Sequence, residues 1–286
     1  MTKLAARARW LEAQRLEDSP DSPEDMREWV EVRRDTWTRL MDYLTREGLI
    51  NSPKRTMDIG GKGTTIFLAL RDGERYAVDP VYRDLFQVHP FLRELKEYQG
   101  VNFLAAAVED TTIDQPFDTI FCINALDHVA EVDAIIAKME ELLAPSGTLV
   151  LVVDCYADRA VRNLIRWFDV DLPHPHHFLA EDILSLFSRF QLRKQDPLCF
   201  RLFLTGRLFR GTRADIPVYR LDSLLERAGL LIRTSGRGWH LPFVARFSLA
   251  YSLGLLLASL RRKESPIHPL KKPRLFVYQK PAAQQA

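Results

Sequence analysis

Three short stretches carry residue types able to hold a ligand and act on it. The first, Thr56-Met57-Asp58-Ile59-Gly60-Gly61-Lys62-Gly63-Thr64-Thr65, is an apolar run that passes through a glycine-rich turn into a helical segment. Glycines let a ligand approach the backbone closely. In parallel sheets, ligands bind beyond the carboxyl ends of the strands, where the strand order reverses. The second stretch, Tyr76-Ala77-Val78-Asp79-Pro80, ends an apolar run in an acid, and a carboxylate there can accept hydrogen bonds from ribose hydroxyls. Taken singly, a glycine-rich turn also serves as a tight connection, and an acid at a strand end also caps a helix. The third, Phe117 to Val129, is an apolar strand that breaks into Asn124, Asp127 and His128 at its carboxyl end.

Histidine is the side chain whose unperturbed pKa suits taking a proton near neutrality. Two sites compete for that role: His128, and the Pro173-His174-Pro175-His176-His177 run, in which His174 and His177 are the candidates. Both sites are expected at the ligand edge of the sheet. His128 also reads as a helix-start residue bonded to backbone, Asp127 as a cap, and the histidine run as a proline-fixed turn. Neutral imidazoles at this spacing can ligate zinc. Without cysteine or carboxylate partners at a recognised ligand spacing, no metal site is expected. The three cysteines, Cys122, Cys155 and Cys199, have neither the paired spacing of a zinc site nor the even count of a disulfide framework, which fits a reducing cytoplasm.

Positioning these groups requires a sheet, and the hydropathy pattern supplies one. From Arg55 onward, short apolar runs alternate with helical stretches, the pattern of a parallel sheet covered by helices. Strands are expected at 56–59, 75–78, 101–105, 117–122 and 148–153, with helices near 65–70, 82–98 and 131–143. Ahead of them, Met26, Val30, Trp37, Leu40, Met41 and Leu44 recur at helical spacing and Gly48 follows as a stop signal, so 23–47 reads as one amphipathic helix. Two segments compete to complete the sheet. One is a helix at 180–190 with strands near 191–194 and 200–204. The other is a helix at 221–228 with strands at 230–234 and 274–278. The first is favoured, which makes residues 1–212 the main domain and residues 213–286 a C-terminal extension packed on it.

With the third stretch in place, the ordered series resembles the class I S-adenosylmethionine-dependent methyltransferases. The resemblance spans Glu28 to about Leu204 and includes the Leu142–Leu149 approach to the fifth strand. It looks closest to the small-molecule branch, in which a run like Asn124–Val129 follows the fourth strand. What it implies is an α/β fold with a Rossmann-like, mostly parallel sheet and helices on both faces, S-adenosylmethionine as cofactor, and a small-molecule acceptor. Asp58, Gly60, Gly61 and Gly63 would hold the amino-acid end of the cofactor, Asp79 the ribose, and Val108 and Glu109 would flank the adenine. Asn124 and Asp127 are expected to contact substrate or cofactor, with a helix cap as the alternative for Asp127. Lys62 and Thr64 stand where the family commonly has its second and third glycines, and Ala107 where an acid often contacts adenine. These departures support a second reading, a methyltransferase-like binding module without turnover. A nicotinamide dehydrogenase is disfavoured, because the Gly-x-Gly-x-x-Gly turn that a pyrophosphate needs is absent. Methyl transfer from a sulfonium is an in-line displacement in which positioning does much of the catalysis, and no metal or covalent residue is required.

Composition bounds the partners. A formal charge of +2 leaves no general field for steering nucleic acid, although basic residues collect between Arg261 and Lys280. Met1 to Leu16 is charged throughout and lacks the apolar core of a secretory signal, so a cytoplasmic location is expected. Phe247 to Leu260 carries no charge and is flanked by arginine and lysine. At ~1.5 Å per residue, a helix of about fourteen residues reaches roughly 21 Å, short of the roughly 30 Å of a bilayer core. A buried helix, or peripheral docking of 247–260 on a membrane surface, is expected instead of a span.

Overall fold

A computed structural model of the chain describes residues 23–156, 159–168, 174–196 and 271–282. The expected strand at 200–204, the apolar segment 247–260 and the boundary at 212 lie outside these residues. The strands are β1 Arg55–Ile59, β2 Glu74–Val78, β3 Val101–Leu104, β4 Phe117–Ile123, β5 Leu143–Tyr156, β6 Gln191–Asp196 and β7 Lys271–Gln279. The α-helices are α1 Pro23–Arg46, α2 Tyr82–Val88, α3 Val132–Leu142, α4 Arg159–Phe168 and α5 Ala180–Leu186.

The strands form one sheet in the order β3-β2-β1-β4-β5-β7-β6, with β1 to β5 parallel and β7 antiparallel to both its neighbours. From β1 the chain winds outward to β2 and β3, then returns to β4 on the other side, so the order reverses between β1 and β4. The crevice for a ligand opens at that reversal.

Consecutive apolar residues in the central strands are buried on opposite faces. Met57, Ile59, Ile120, Cys122, Leu149, Leu151 and Phe276 pack with Ile135 and Met139 of α3 and Ile183 of α5. Phe121, Ile123, Val150, Val152, Leu275 and Val277 pack with Val30, Trp37, Leu40 and Leu44 of α1 and with Tyr82 and Phe86 of α2. This two-sided burial is why the strands read as continuous apolar runs. Each such side chain stabilises the fold by about 1.5–3 kcal/mol. Helix α1 ends at Gly48, whose φ of +65° and the bonds Gly48 N–H to Thr45 O and Leu49 N–H to Leu44 O make a left-handed C-terminal cap.

Three expectations need correction. The helix expected over 82–98 runs only to Val88 and continues as 3-10 turns at Pro90–Glu94 and Lys96–Tyr98. Pro90 has no N–H to donate and keeps His89 out of the α region. The helix near 65–70 is a single 3-10 turn, Ile66–Leu68, capped by the Thr65 side chain. Lastly, Arg274–Tyr278 belongs to the sheet and not to an appended extension: β7 lies between β5 and β6. Leu275, Phe276, Val277 and Tyr278 are all buried, as an interior strand demands, whereas Gln191, Leu192 and Arg193 of β6 are exposed, as suits an edge. Part of the basic tail is therefore a sheet strand. Among the described residues, no helix is long and apolar enough to cross a membrane.

Candidate active site

The turn after β1 is shaped by its contacts. Gly60 has φ +74°, donates its N–H to Val78 O at 2.9 Å, and leaves no room for a side chain, since a Cβ there would lie 2.3 Å from Ala125 Cβ. A Cβ on Gly61 would lie 2.7 Å from Asp58 Oδ2. Both glycines are thus required by the packing of the turn itself. Lys62 adopts φ +45°, a left-handed conformation that costs a side-chain residue roughly 1–2 kcal/mol. Its N–H donates to Asp79 Oδ2 at 3.0 Å, while Val81 N–H donates to Asp79 Oδ1 at 3.1 Å, so the acid ending β2 braces the turn after β1.

Asp58 is buried, and its Oδ2 accepts the Ile66 N–H at 2.8 Å, which fastens β1 to the 3-10 turn. Burial lifts its carboxyl from the usual 3.8 to about 7; the Ile66 N–H opposes this shift and the nearby Asp79 adds to it. Trp37 of α1 donates its indole N–H to Thr64 O at 2.6 Å, and Tyr98 donates to Gly63 O at 2.9 Å while accepting from Thr65 N–H at 3.0 Å. The turn is held from both sides.

These elements enclose a cavity of about 740 Å³ at the carboxyl ends of β1, β2 and β4. Asp58, Gly60, Gly61, Asp79, Val108, Glu109, Asn124 and His128 all line it. Gly63 does not: a Cβ on it would sit 3.1 Å from Leu92 Cδ1 and Met26 Sδ, so it faces α1 and the 3-10 turn over Pro90–Glu94. Val108 and Glu109 sit in a short 3-10 turn, and burial pushes the Glu109 carboxyl upward. Asn124, left-handed at φ +51°, donates its N–H to Val152 O, and its Oδ1 is buried without a hydrogen-bond partner. Arg33 of α1, which sequence reasoning missed, also lines the cavity. Its guanidinium lies 4.9 Å and 5.0 Å from the ring centroids of Trp29 and Trp37. The available signal was the i, i+4 spacing of Trp29, Arg33 and Trp37 on one helix face.

The histidines separate. His128 faces the cavity, and the His174 ring lies 4.5 Å from it. Nε2 of His128 and Nε2 of His174 are each 3.8 Å from a carboxylate oxygen of buried Asp127, one on Oδ1 and the other on Oδ2. The loop carrying His174 is tied down by His176, whose N–H donates to Asp127 O and whose Nε2 is 2.8 Å from Val129 O. His177 is buried against the Tyr156 ring at 5.4 Å and does not border the cavity. The three-residue cluster overturns the expectation that the histidines lack a carboxylate at ligand spacing: the carboxylate comes from the loop after β4, not from the histidine run.

A family model for a methyltransferase domain matches residues 27–195, more than half the chain. The chain belongs to this methyltransferase family. A ubiquinone biosynthesis O-methyltransferase from Xylella fastidiosa (strain M23) is 31% identical over 112 residues, which cover 38% of this chain and 45% of that enzyme. The chain thus matches less than half the length of that relative. A solved structure of a candidate methyltransferase from Bacillus halodurans C-125 superimposes with a TM-score of 0.53 at 14% identity, over 85% of this chain and 99% of the other. The [4+2]-cyclase SpnF superimposes with a TM-score of 0.53 at 15% identity, over 86% of this chain and 81% of that one. Likeness at such identity shows the class I methyltransferase fold and leaves the reaction to be argued from the site.

Proposed function

We propose that this member of the methyltransferase family uses S-adenosylmethionine to methylate a hydroxyl oxygen of a small molecule. The observation that carries the reading is one cavity lined both by the Asp58–Lys62 turn with Asp79 and by His128. Its volume of about 740 Å³ lies within the range of small-molecule sites. The buried, unpartnered Asn124 Oδ1 offers an acceptor to a ligand donor. These features fit the cofactor, which when bound supplies an electrophilic methyl carbon on a sulfonium.

Asp79, whose carboxylate lines the cavity, accepts the ribose hydroxyls. Asp58 and the backbone of Gly60 and Gly61 take the ammonium end, and Arg33 pairs with the carboxylate of the same moiety. Val108 and Glu109 flank the adenine. An attacking hydroxyl must shed its proton, and the Asp127–His128–His174 cluster reaches the cavity through His128, so that side chain handles the proton. The O-methyltransferase named above supports oxygen as the attacked atom.

The test is isothermal titration of the full chain with S-adenosylmethionine, followed by product detection across a panel of phenols and alcohols. Binding with methyl transfer is expected. His128→Ala lowers kcat by ~10²-fold or more with cofactor affinity retained. Absence of binding at millimolar cofactor refutes the proposal, and binding without turnover of any acceptor points to the binding module.

A further inference from the structure

We infer that Asp127, His128 and His174 form a binding site for a divalent transition-metal ion, zinc above all, behind the His128 wall of the cavity. One ligand atom from each residue lies within 4.8 Å of the others. Two neutral imidazoles and one carboxylate, with a fourth position open, are the donor set of catalytic zinc sites.

The distances favour an ion over direct pairing. At 3.8 Å, each Nε2–oxygen separation is too long for a hydrogen bond. Donors bound tetrahedrally at ~2.05 Å stand about 3.3 Å apart, so each His–Asp pair closes by roughly half an ångström and the two imidazoles by at most about 1.5 Å. Asp127 gives the second observation. Its side chain is 4% exposed and its Oδ1 has no hydrogen-bond partner, so one carboxylate oxygen is removed from water with no donor in its place. A buried carboxylate in that state is costly, and a cation between it and the two imidazoles offsets the cost.

The scaffold also suits a fixed site. Asp127 and His128 sit in the 3-10 turn Leu126–His128, directly after β4 and Asn124. His174 comes from the loop before α5, which is tied to that turn by His176 N–H to Asp127 O and by the His176–Val129 contact. Ligands from two cross-linked loops need little reorganisation to close on an ion.

This inference rests on the proposed methyl transfer for its chemical consequence and not for the binding itself. An acceptor hydroxyl in the open position is polarised by the ion. Its O–H bond breaks, the electron pair stays on the oxygen as a metal-bound alkoxide or phenolate, and the proton leaves to water. With the ion bound, His128 serves the acceptor through the metal as its ligand; in the metal-free chain the imidazole takes the proton directly.

The experiment uses the full chain freed of metal by a chelator. Titration with zinc chloride is expected to show one equivalent bound, and cobalt(II) is expected to give the visible bands of a low-symmetry, four-coordinate ion. Outer-sphere partners of metal ligands are worth about 10–100-fold in affinity, so loss of a direct ligand in Asp127→Asn or His174→Ala should weaken zinc by at least ~100-fold. His174→Gln serves where the alanine variant fails to fold. Cofactor titration of His174→Ala should match the unaltered chain, because His174 does not border the cavity. Zinc binding no tighter than millimolar, or undiminished in both variants, overturns the inference. Zinc binding without cofactor binding would instead sink the functional proposal and leave the site standing.

Discussion

The Lys62 backbone N–H donates to the Asp79 carboxylate at 3.0 Å, joining the left-handed turn after β1 to the residue that ends β2. The same carboxylate faces the cavity, so one side chain shapes the turn and offers acceptors to a ligand. Hydrogen bonds to charged groups contribute about 1.5–3 kcal/mol, and about 1.4 kcal/mol is tenfold in affinity. Asp79→Asn is therefore expected to weaken S-adenosylmethionine by ~10–100-fold in calorimetric titration and to lower the melting temperature. An unchanged dissociation constant would remove Asp79 from the cofactor site.

The glycines of the turn separate by what surrounds them. Gly60→Ala puts a Cβ 2.3 Å from Ala125 Cβ on a backbone with φ +74°, and both elements must move. Overpacking alone costs about 1–3 kcal/mol, and the left-handed backbone adds ~1 kcal/mol or more. Gly63→Ala meets only the flexible ends of Leu92 and Met26 at 3.1 Å. Denaturant unfolding should show a loss of several kcal/mol at position 60 and about 1 kcal/mol or less at position 63. Cofactor affinity should survive only the second change; a loss there would return Gly63 to the site.

Asp58 links stability to pH. Its carboxyl rises from 3.8 to about 7 on folding, chiefly through burial, so the folded state holds a proton that the unfolded chain has already released. The stabilising contribution is complete below pH 4, declines as pH rises, and is exhausted above pH 7. At 1.36 kcal/mol per pKa unit the decline is at most about 4 kcal/mol. Asp58→Asn keeps an oxygen for the Ile66 N–H and has nothing to ionise. Its unfolding free energy should vary less between pH 4 and pH 8 than that of the unaltered chain. Parallel curves would show that Asp58 does not titrate in this range.

Much of this was legible in residue order. The apolar runs at Thr56–Ile59, Arg75–Val78 and Phe117–Cys122 marked strands because burial on both faces demands such runs, and Asp58, Asp79 and Asn124 follow at or near their carboxyl ends. What escaped depends on contacts between distant segments. Gly63 looks like its neighbours in sequence, yet Leu92 and Met26 decide which way it faces. Arg33 reads as a solvated charge on an amphipathic helix until Trp37 bonds to Thr64 and brings it to the cavity rim. The Asp127–His128–His174 cluster exists only because two loops are cross-linked.

The position of β7 between β5 and β6, far in sequence from both, yields the sharpest test of the fold. Strand β5 pairs with the whole of β7, from Thr148 opposite Gln279 to Tyr156 opposite Lys271, and β6 attaches to the sheet through β7. Removing residues 271–286 leaves β6 with no neighbour and bares the edge of β5. Leu275, Phe276, Val277 and Tyr278 are each at most 1% exposed. At about 1.5–3 kcal/mol apiece their burial contributes roughly 6–12 kcal/mol, comparable with the ~5–15 kcal/mol total stability of a typical domain. A chain ending at residue 270 should show no cooperative thermal transition and should bind no cofactor, although every cavity-lining residue remains present. Were residues 213–286 a mere appendage, the shortened chain would melt cooperatively near the original temperature.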